Sequence, residues 1–174
     1  MVFEDTPIPF ENALDPQPVG AAQVVDSNFA AWSAVLTAGL YDAVAEAGRD
    51  WFVRWATERV PANLGAPLSS LARYQEAVGR IDGLLFSNRA LLTAAATPGA
   101  TPLEASLAKH LVTENAITAV DIAVANSGNP GLVRSSPLER HHRDVLCGRI
   151  HTPQADVVLT GAGKAAFAAV RASK

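Results

Sequence analysis

The segment from residue 128 to 154 holds most of the side chains that could do chemistry, and it reads GNPGLVRSSPLERHHRDVLCGRIHTPQ. Four arginines and three histidines stand there against two acidic residues, Glu139 and Asp144. Arginine side chains and helix N-termini both bind phosphate well, so this basic cluster predicts anion recognition. Ion pairing within a helix is the alternative, because Glu139 lies four residues before Arg143. The same spacing separates Arg140 from Asp144.

His151 differs from the other histidines of the segment in its surroundings. His141 and His142 are adjacent, so on a helix they point in different directions and cannot hold one metal ion together. The sequence therefore predicts no metal site. His151 lies in a break between two predicted helices, where a side chain can enter a cleft and act as an acid, a base or a hydrogen-bond donor. The alternative is a capping or solvent-facing histidine.

Composition narrows the class of protein. The chain has 174 residues, a net charge of −3 and a single cysteine, Cys147. An internal disulfide is therefore impossible, and Cys147 is expected to be packed rather than reactive. The acidic balance disfavours nucleic acid as a partner, and no window is apolar for long enough to span a bilayer. We expect a cytoplasmic protein without nucleic-acid or membrane partners.

A long helix is predicted to follow an extended N-terminal arm. Residues 1–20 form the arm, because four prolines interrupt them: Pro7, Pro9, Pro16 and Pro18. The first helix is expected from residue 26 or 27 to about residue 59. Apolar side chains recur along it at helical spacing: Phe29, Trp32, Leu36, Leu40, Ala43, Ala47, Trp51 and Trp55. A helix of about 50 Å indicates a bundle, with Trp51 and Trp55 in its core or in an interface.

Four more helices complete the predicted fold. The second follows the turn at 63–67 and carries apolar residues seven apart: Leu71, Val78, Leu85 and Leu92. Thr101-Pro102-Leu103-Glu104 predicts a capping box at the start of the third, and residues 136–139 repeat that signal for the fourth. The fifth opens after Pro153. The prediction is an all-α, up-and-down four-helix bundle with an additional C-terminal helix, forming one domain over residues 21–174.

The basic segment also carries a family resemblance. The runs SPLERHHRD at 136–144 and RIHTPQ at 149–154 resemble the end of acyl-CoA dehydrogenase superfamily proteins. The similarity is closest to the branch of flavin-dependent monooxygenases and desulfurisation enzymes. Phe3 to Pro9 resembles the link that leaves the family's middle β domain. Ala56-Thr57-Glu58-Arg59 with Gly65-Ala66-Pro67-Leu68 resembles its helix–turn–helix around a Glu-Arg pair, so nearly all of the chain is covered.

The resemblance implies roles for three residues. Arg59 matches the position whose guanidinium contacts the cofactor pyrophosphate of a neighbouring subunit. Arg143, in the family's Arg-Asp pair, is expected to be mainly structural and is a second candidate for cofactor binding. His151 matches the position where monooxygenase members carry a histidine near the flavin, which makes it the candidate catalytic residue. The implied cofactor is FAD or FMN, and the implied assembly is a dimer or a tetramer.

Two departures from the family pattern limit what the resemblance implies. Acyl-CoA dehydrogenases carry a glutamate base in a Tyr-Glu-Gly-Thr context, whereas this chain has His151-Thr152-Pro153-Gln154 there. Thr152 cannot abstract an α-proton as a carboxylate does. The loop after Arg59 is also longer by two residues, with Leu64-Gly65 in place of Phe-Gly.

The sequence thus favours the C-terminal domain of an acyl-CoA dehydrogenase-like flavin-dependent oxidoreductase. Such a domain contributes to flavin binding and oligomerisation but lacks the family's N-terminal and β domains. We expect no activity from the chain alone, and a separate polypeptide could carry the other domains. The alternative is a non-catalytic, self-associating helical module derived from the same family, with Trp32, Trp51 or Trp55 as buried anchors of its interface.

Overall fold

Helices make up the described part of the protein, which is residues 5–7, 9–12 and 27–173 of a computed structural model. No strand occurs in these ranges, and the all-α prediction is confirmed. The helices are α1 (Ser27–Glu58), α2 (Ala72–Ala95), α3 (Pro102–Ser127), α4 (Asn129–Leu132), α5 (Pro137–Leu146) and α6 (Ala155–Ala172). The single turn α4 lies in the Gly-rich stretch between α3 and α5. The predicted extended arm falls mostly outside the described residues and stays a prediction.

α3 lies at the centre of the bundle and contacts α1, α2, α5 and α6. Helices α1, α2, α3 and α5 enclose the core, and α6 packs on α3 as the predicted additional C-terminal helix. The largest fully buried apolar side chains come from all four enclosing helices: Phe52, Ile81, Val112, Val120, Leu138 and Val145. Trp51 and Trp55 stack on each other, with ring centroids 5.8 Å apart, and pack against this core.

The two faces of α1 have opposite characters. The buried face consists mostly of small side chains, with two aromatic ones among them: Ala34, Ala38, Tyr41, Ala45, Gly48, Phe52 and Ala56. The first half of the bulky stripe that predicts the helix lies on the other side, where Phe29 is 71% exposed and Leu36 is 67% exposed, whereas Trp51 and Trp55 near its end pack against the core. Small residues let α1 approach α3 closely, because their side chains take little space between helices. The apolar periodicity therefore predicts the helix correctly, but it does not supply the buried face.

Local signals fix where α3 and α5 begin. The capping box at Thr101 is confirmed, since its hydroxyl accepts a hydrogen bond from the Glu104 amide at 3.2 Å and the Glu104 carboxylate accepts one from the Thr101 amide at 2.7 Å. Ser136 caps α5 by accepting from the amide of Leu138. Glu139 bonds Arg143 instead of completing a second capping box.

Candidate functional site

The loop that connects α5 to α6 carries His151 and lies directly on the core. After α5 the chain continues as a 3-10 turn over Cys147–Arg149, and Gly148 is buried there. A Cβ atom at Gly148 would lie 2.7 Å from Cγ2 of Thr113 and 3.1 Å from the ring of Tyr41. Glycine is therefore required for this close approach, because any side chain would push the loop away from α1 and α3.

Lys109 of α3 anchors the same loop from the core side. Its side chain is on α3, only 3% of the residue is exposed, and its Nζ donates to three backbone carbonyls. The acceptors are Gly148 O at 2.9 Å, His151 O at 2.6 Å and Pro153 O at 3.1 Å. Burial lowers the pKa of Lys109, but these three bonds use every donor of the ammonium group. The lysine thus ties together three points of a six-residue stretch.

Arg149 ties the loop to α3 a second time. Its guanidinium donates to both carboxylate oxygens of Glu114, at 2.9 and 2.7 Å. This fork-to-fork geometry is the one in which arginine binds carboxylates best. The hydrogen bond from Arg149 lowers the pKa of Glu114, so the carboxylate is charged at neutral pH.

His151 itself is exposed, and one of its ring nitrogens is bonded to the core. Nδ1 lies 2.6 Å from the hydroxyl oxygen of Tyr41. Tyr41 is on the inner face of α1, and only 3% of the residue is exposed. The two rings are tilted by 49° with centroids 5.7 Å apart. Among the described residues nothing bonds Nε2, and the residue as a whole is exposed. The arrangement fixes the imidazole through Nδ1 and leaves Nε2 without a partner in the described residues.

The arginine cluster divides into paired and unpaired members. Arg143 donates from Nε to Glu139 at 2.8 Å, so the predicted pair within α5 is confirmed. The second predicted pair is not among the ion pairs that the described residues form. His142 instead contacts Asp121 of α3, with Nε2 and Oδ1 3.1 Å apart. Arg143 therefore already has a carboxylate partner, although its side chain is 65% exposed.

Arg59 lies far from His151. It follows the last residue of α1 and is exposed, whereas Tyr41, the contact of His151, lies in the middle of that helix. The two positions are roughly 25 Å apart along the helix axis. No ion pair or side-chain hydrogen bond engages its guanidinium among the residues that the structure describes. Arg59 and His151 consequently do not form one site within a single chain.

Cys147 differs from its prediction. It is exposed, at the start of the 3-10 turn rather than packed in mid-helix. The expectation was wrong because α5 ends at Leu146, and the neighbouring Gly148, not the cysteine, is the residue that turns inward.

A buried polar network crosses the bundle one residue from Tyr41. Asn88 donates to Oδ1 of Asp42 at 2.7 Å and accepts from Asn115 at 2.9 Å, so it links α1, α2 and α3. Burial raises the pKa of Asp42. This network fixes the relative register of three helices, because any sliding would leave buried polar groups without partners.

Two surface grooves are lined by residues that do not include His151. A mostly apolar groove of about 420 Å³ lies between the end of α2 and the start of α3, lined by Leu91, Gly99, Leu107 and Leu111 among others. A charged groove of about 410 Å³ lies between α1 and α2 and contains the ion pair of Arg49 with Asp82. Neither groove is lined by Arg59, Arg143 or His151, the candidate site residues of the sequence analysis.

Sequence reasoning missed Tyr41 and Lys109, although a signal for each exists. Lys109 interrupts an otherwise apolar stripe of α3 that contains Ala105, Val112 and Ala116. A charged residue at such a position must find partners inside the protein. Tyr41 likewise stands on the small-residue stripe of α1.

Comparison with known proteins gives a consistent result. The family model for "Acyl-CoA dehydrogenase, C-terminal domain" matches residues 32–155. A curated protein of Bacillus subtilis (strain 168), named "Putative acyl-CoA dehydrogenase YdbM", is 33% identical over 135 residues, which cover 74% of this chain and 35% of that protein. The chain thus spans about a third of the length of the curated relative that it matches.

Solved structures share the fold. Butyryl-CoA dehydrogenase from Megasphaera elsdenii superimposes with a TM-score of 0.75 at 22% identity, over 81% of this chain and 37% of that one. An acyl-CoA dehydrogenase from Slackia heliotrinireducens gives a TM-score of 0.73 at 19% identity, over 84% and 39% of the two chains. At these identities the similarity establishes the helical fold alone.

Proposed function

The chain belongs to the acyl-CoA dehydrogenase family, as its C-terminal helical domain, and from this premise we propose that it serves as one wall of a flavin site in an oxidoreductase. The observation that carries the proposal is that the family match includes both Arg59 and His151, and that both are exposed. Bound FAD or FMN would supply the redox chemistry. The chain spans about a third of its curated relative, and we propose that the remaining part of the flavin site lies outside these 174 residues.

Arg59 is the residue that we propose for the cofactor phosphates. A guanidinium binds a phosphate in a bidentate manner, and this one is exposed at the end of a helix. Arg143 is a weaker candidate, because Glu139 already accepts two of its hydrogen bonds. Arg59 and Tyr41, the contact of His151, are far apart along α1. This separation fits an oligomer in which Arg59 of a chain contacts one flavin and His151 of the same chain contacts another.

His151 is the residue that we propose beside the reacting part of the flavin and substrate. Thr152 follows it where acyl-CoA dehydrogenases carry a glutamate base, and a hydroxyl cannot serve as that base. We therefore propose flavin chemistry other than α-proton abstraction, as in the monooxygenase branch that the sequence resembles.

A titration followed by NMR tests the role of Arg59. FAD added to the ¹⁵N-labelled chain should shift the side-chain signal of Arg59, whereas riboflavin, which has no phosphate, should not. Arg59→Ala should remove the response of the neighbouring amides. Arg54→Ala is the matched control, since Arg54 is also exposed near the end of α1 and has no ion pair in the described residues. An equal response to FAD and riboflavin, or none at Arg59, would refute the phosphate contact.

A second candidate function is supported by the apolar surface. The outer face of α1 exposes Phe29, Leu36 and Leu40, and α6 exposes another set: Val157, Leu159, Phe167 and Val170. Exposed apolar patches of this kind favour association, so we propose a homo-oligomer, a dimer or a tetramer. If flavin binding fails, a non-catalytic assembly module is the remaining function.

Sedimentation analysis tests the assembly. The chain should sediment as a dimer or tetramer, and Leu36→Glu combined with Leu40→Glu should dissociate it, because two charges in an apolar interface remain unpaired. Leu132→Glu is the control, since Leu132 is also exposed but lies on α4. A monodisperse monomer of the unsubstituted chain would contradict the proposal.

A further inference from the structure

The bond between Tyr41 and His151 has a direction that the surrounding groups determine. The hydroxyl of Tyr41 has one hydrogen to donate, and Nδ1 of His151 is the acceptor that it meets in the described residues. If Nδ1 carried the proton instead, the Tyr41 hydrogen would have no acceptor at a buried position. A buried hydroxyl without an acceptor is costly, so the tyrosine donates and Nδ1 accepts.

Tyr41 keeps its proton in this setting. Burial raises the pKa of Tyr41, and the neighbouring Cys147 and Asp144 raise it further. A phenol that stays neutral retains the hydrogen that it can donate to Nδ1. When Nδ1 accepts that hydrogen bond, the ring proton of His151 lies on Nε2.

We propose that Tyr41 is a positioning residue that fixes His151 as the Nε2–H tautomer, so that Nε2, which has no partner among the described residues, donates a hydrogen bond to an oxygen acceptor of the ligand. This proposal rests on the proposed function for the presence of a ligand, but not for the tautomer itself. The fitting ligand group is a carbonyl, carboxylate or phenolate oxygen, and a group that must lose a proton to this nitrogen does not fit. Of the three roles open to a histidine in this break, the geometry selects the donor.

The loop gives the donor a fixed direction as well as a fixed tautomer. Lys109 bonds the backbone carbonyl of His151 itself and those of two neighbours, and Arg149 clamps the preceding turn to Glu114. The imidazole is therefore held by its ring nitrogen and by its own backbone. A hydrogen bond from a group held in this way requires little reorganisation when an acceptor arrives.

Nitrogen NMR of the chain alone measures the tautomer directly. In the unsubstituted protein at neutral pH the Nδ1 and Nε2 shifts of His151, assigned by comparison with His151→Gln, should show the proton on Nε2. Tyr41→Phe, which removes only the hydroxyl, should produce a mixture of the two tautomers. Tyr74→Phe is the matched control, because Tyr74 is the chain's other tyrosine and is also buried, but packs against Phe52 and Trp55.

Each outcome decides the proposal. A proton on Nδ1 in the unsubstituted chain would overturn it, whether or not Tyr41→Phe folds. An unchanged Nε2–H tautomer in folded Tyr41→Phe would overturn the role of Tyr41. Because no flavin is present in the measurement, its failure is separate from a failure of flavin binding, which the FAD titration reports.

Discussion

The His151 loop and the Arg59 end of α1 are built in opposite ways. The loop is held by Lys109, by the Arg149–Glu114 pair and by the hydroxyl of Tyr41, all within one chain. Arg59 follows the helix as an exposed side chain, although the backbone there is ordered by a hydrogen bond from the Leu68 amide to the Arg59 carbonyl. The surroundings of His151 are therefore complete within the fold. At Arg59 the backbone is fixed, but the side chain has no partner among the described residues.

This difference fits the demands of the two proposed contacts. A hydrogen bond at a reacting centre depends on angle and tautomer, so its donor is more effective when its side chain is held in a fixed position. A phosphate contact depends mainly on charge and tolerates a side chain that adapts when the anion arrives. Substitutions that loosen the loop should therefore reduce stability, while the removal of Arg59 should affect binding alone.

The largest effect is expected for Lys109→Met. The change keeps an unbranched side chain one atom shorter but leaves three carbonyls without their donor, so the free energy of unfolding should fall by about 2–4 kcal/mol. Urea denaturation followed by circular dichroism measures it. Lys164→Met is the control, because Lys164 is exposed on α6 and should change stability by less than about 0.5 kcal/mol. Equal losses for both lysines would show that the loop is not anchored as described.

Gly148→Ala comes next. Its new methyl group would lie 2.7 Å from Thr113, closer than real Cβ atoms come, and a tight 3.1 Å from Tyr41, so stability should fall by about 1–3 kcal/mol. Gly163→Ala on α6 is the control, since nothing lies within 4 Å of the added atom and alanine favours the helix. Differential scanning calorimetry of both variants should give midpoints that move in opposite directions. A harmless Gly148→Ala would mean that the loop can move off the core.

The Arg149–Glu114 pair should give a smaller, pH-dependent effect. Pairing lowers the pKa of Glu114 below its ordinary value of 4.5, so the pair stabilises the fold above that value and is lost as the pH falls through the lowered pKa. Both side chains are partly exposed, so the contribution is at most about 1 kcal/mol. Glu114→Gln should therefore be less stable than the unsubstituted chain at pH 7, and the gap should close on acidification.

Thermal unfolding of Glu114→Gln and of the unsubstituted chain, measured from pH 7 into the acid range, checks this pH dependence. Glu76→Gln provides the comparison, because Glu76 is an exposed carboxylate on α2 that forms no ion pair in the described residues. A gap for Glu114→Gln that persists under acidic conditions would contradict the assignment.

The smallest effect on stability is expected for Arg59→Ala. With no partner to lose, the free energy of unfolding should change by less than about 0.5 kcal/mol. Chemical denaturation of this variant beside Arg149→Ala separates the two regions, since Arg149 loses a carboxylate partner and should destabilise more. The comparison fails if Arg59→Ala proves the more damaging of the two.

The sequence predicts the helices better than it predicts the site. Prolines and capping residues are local signals, so the starts of α1, α3 and α5 are found within a residue or two. The buried face of α1 is not found, because small residues such as Ala38 and Ala45 give a weaker apolar signal than the exposed Leu36 and Leu40. The contact of His151 with Tyr41 joins residues 110 apart, and no local pattern encodes it. A resemblance identifies which histidine matters, but only the packing of α1 against the loop shows which nitrogen it presents.

Flavin retention in a chimeric protein tests the central claim most directly. Residues 32–155 would replace the matching segment of the Bacillus subtilis relative, and the visible absorption spectrum would be recorded after gel filtration with FAD, with the parent protein measured alongside. The account predicts that the chimera retains flavin as the parent does and that Arg59→Ala weakens FAD binding at least about tenfold, which corresponds to about 1.4 kcal/mol. Arg54→Ala in the same chimera should retain it. A chimera that loses flavin while its parent holds it, or one in which Arg59→Ala changes nothing, would contradict the account.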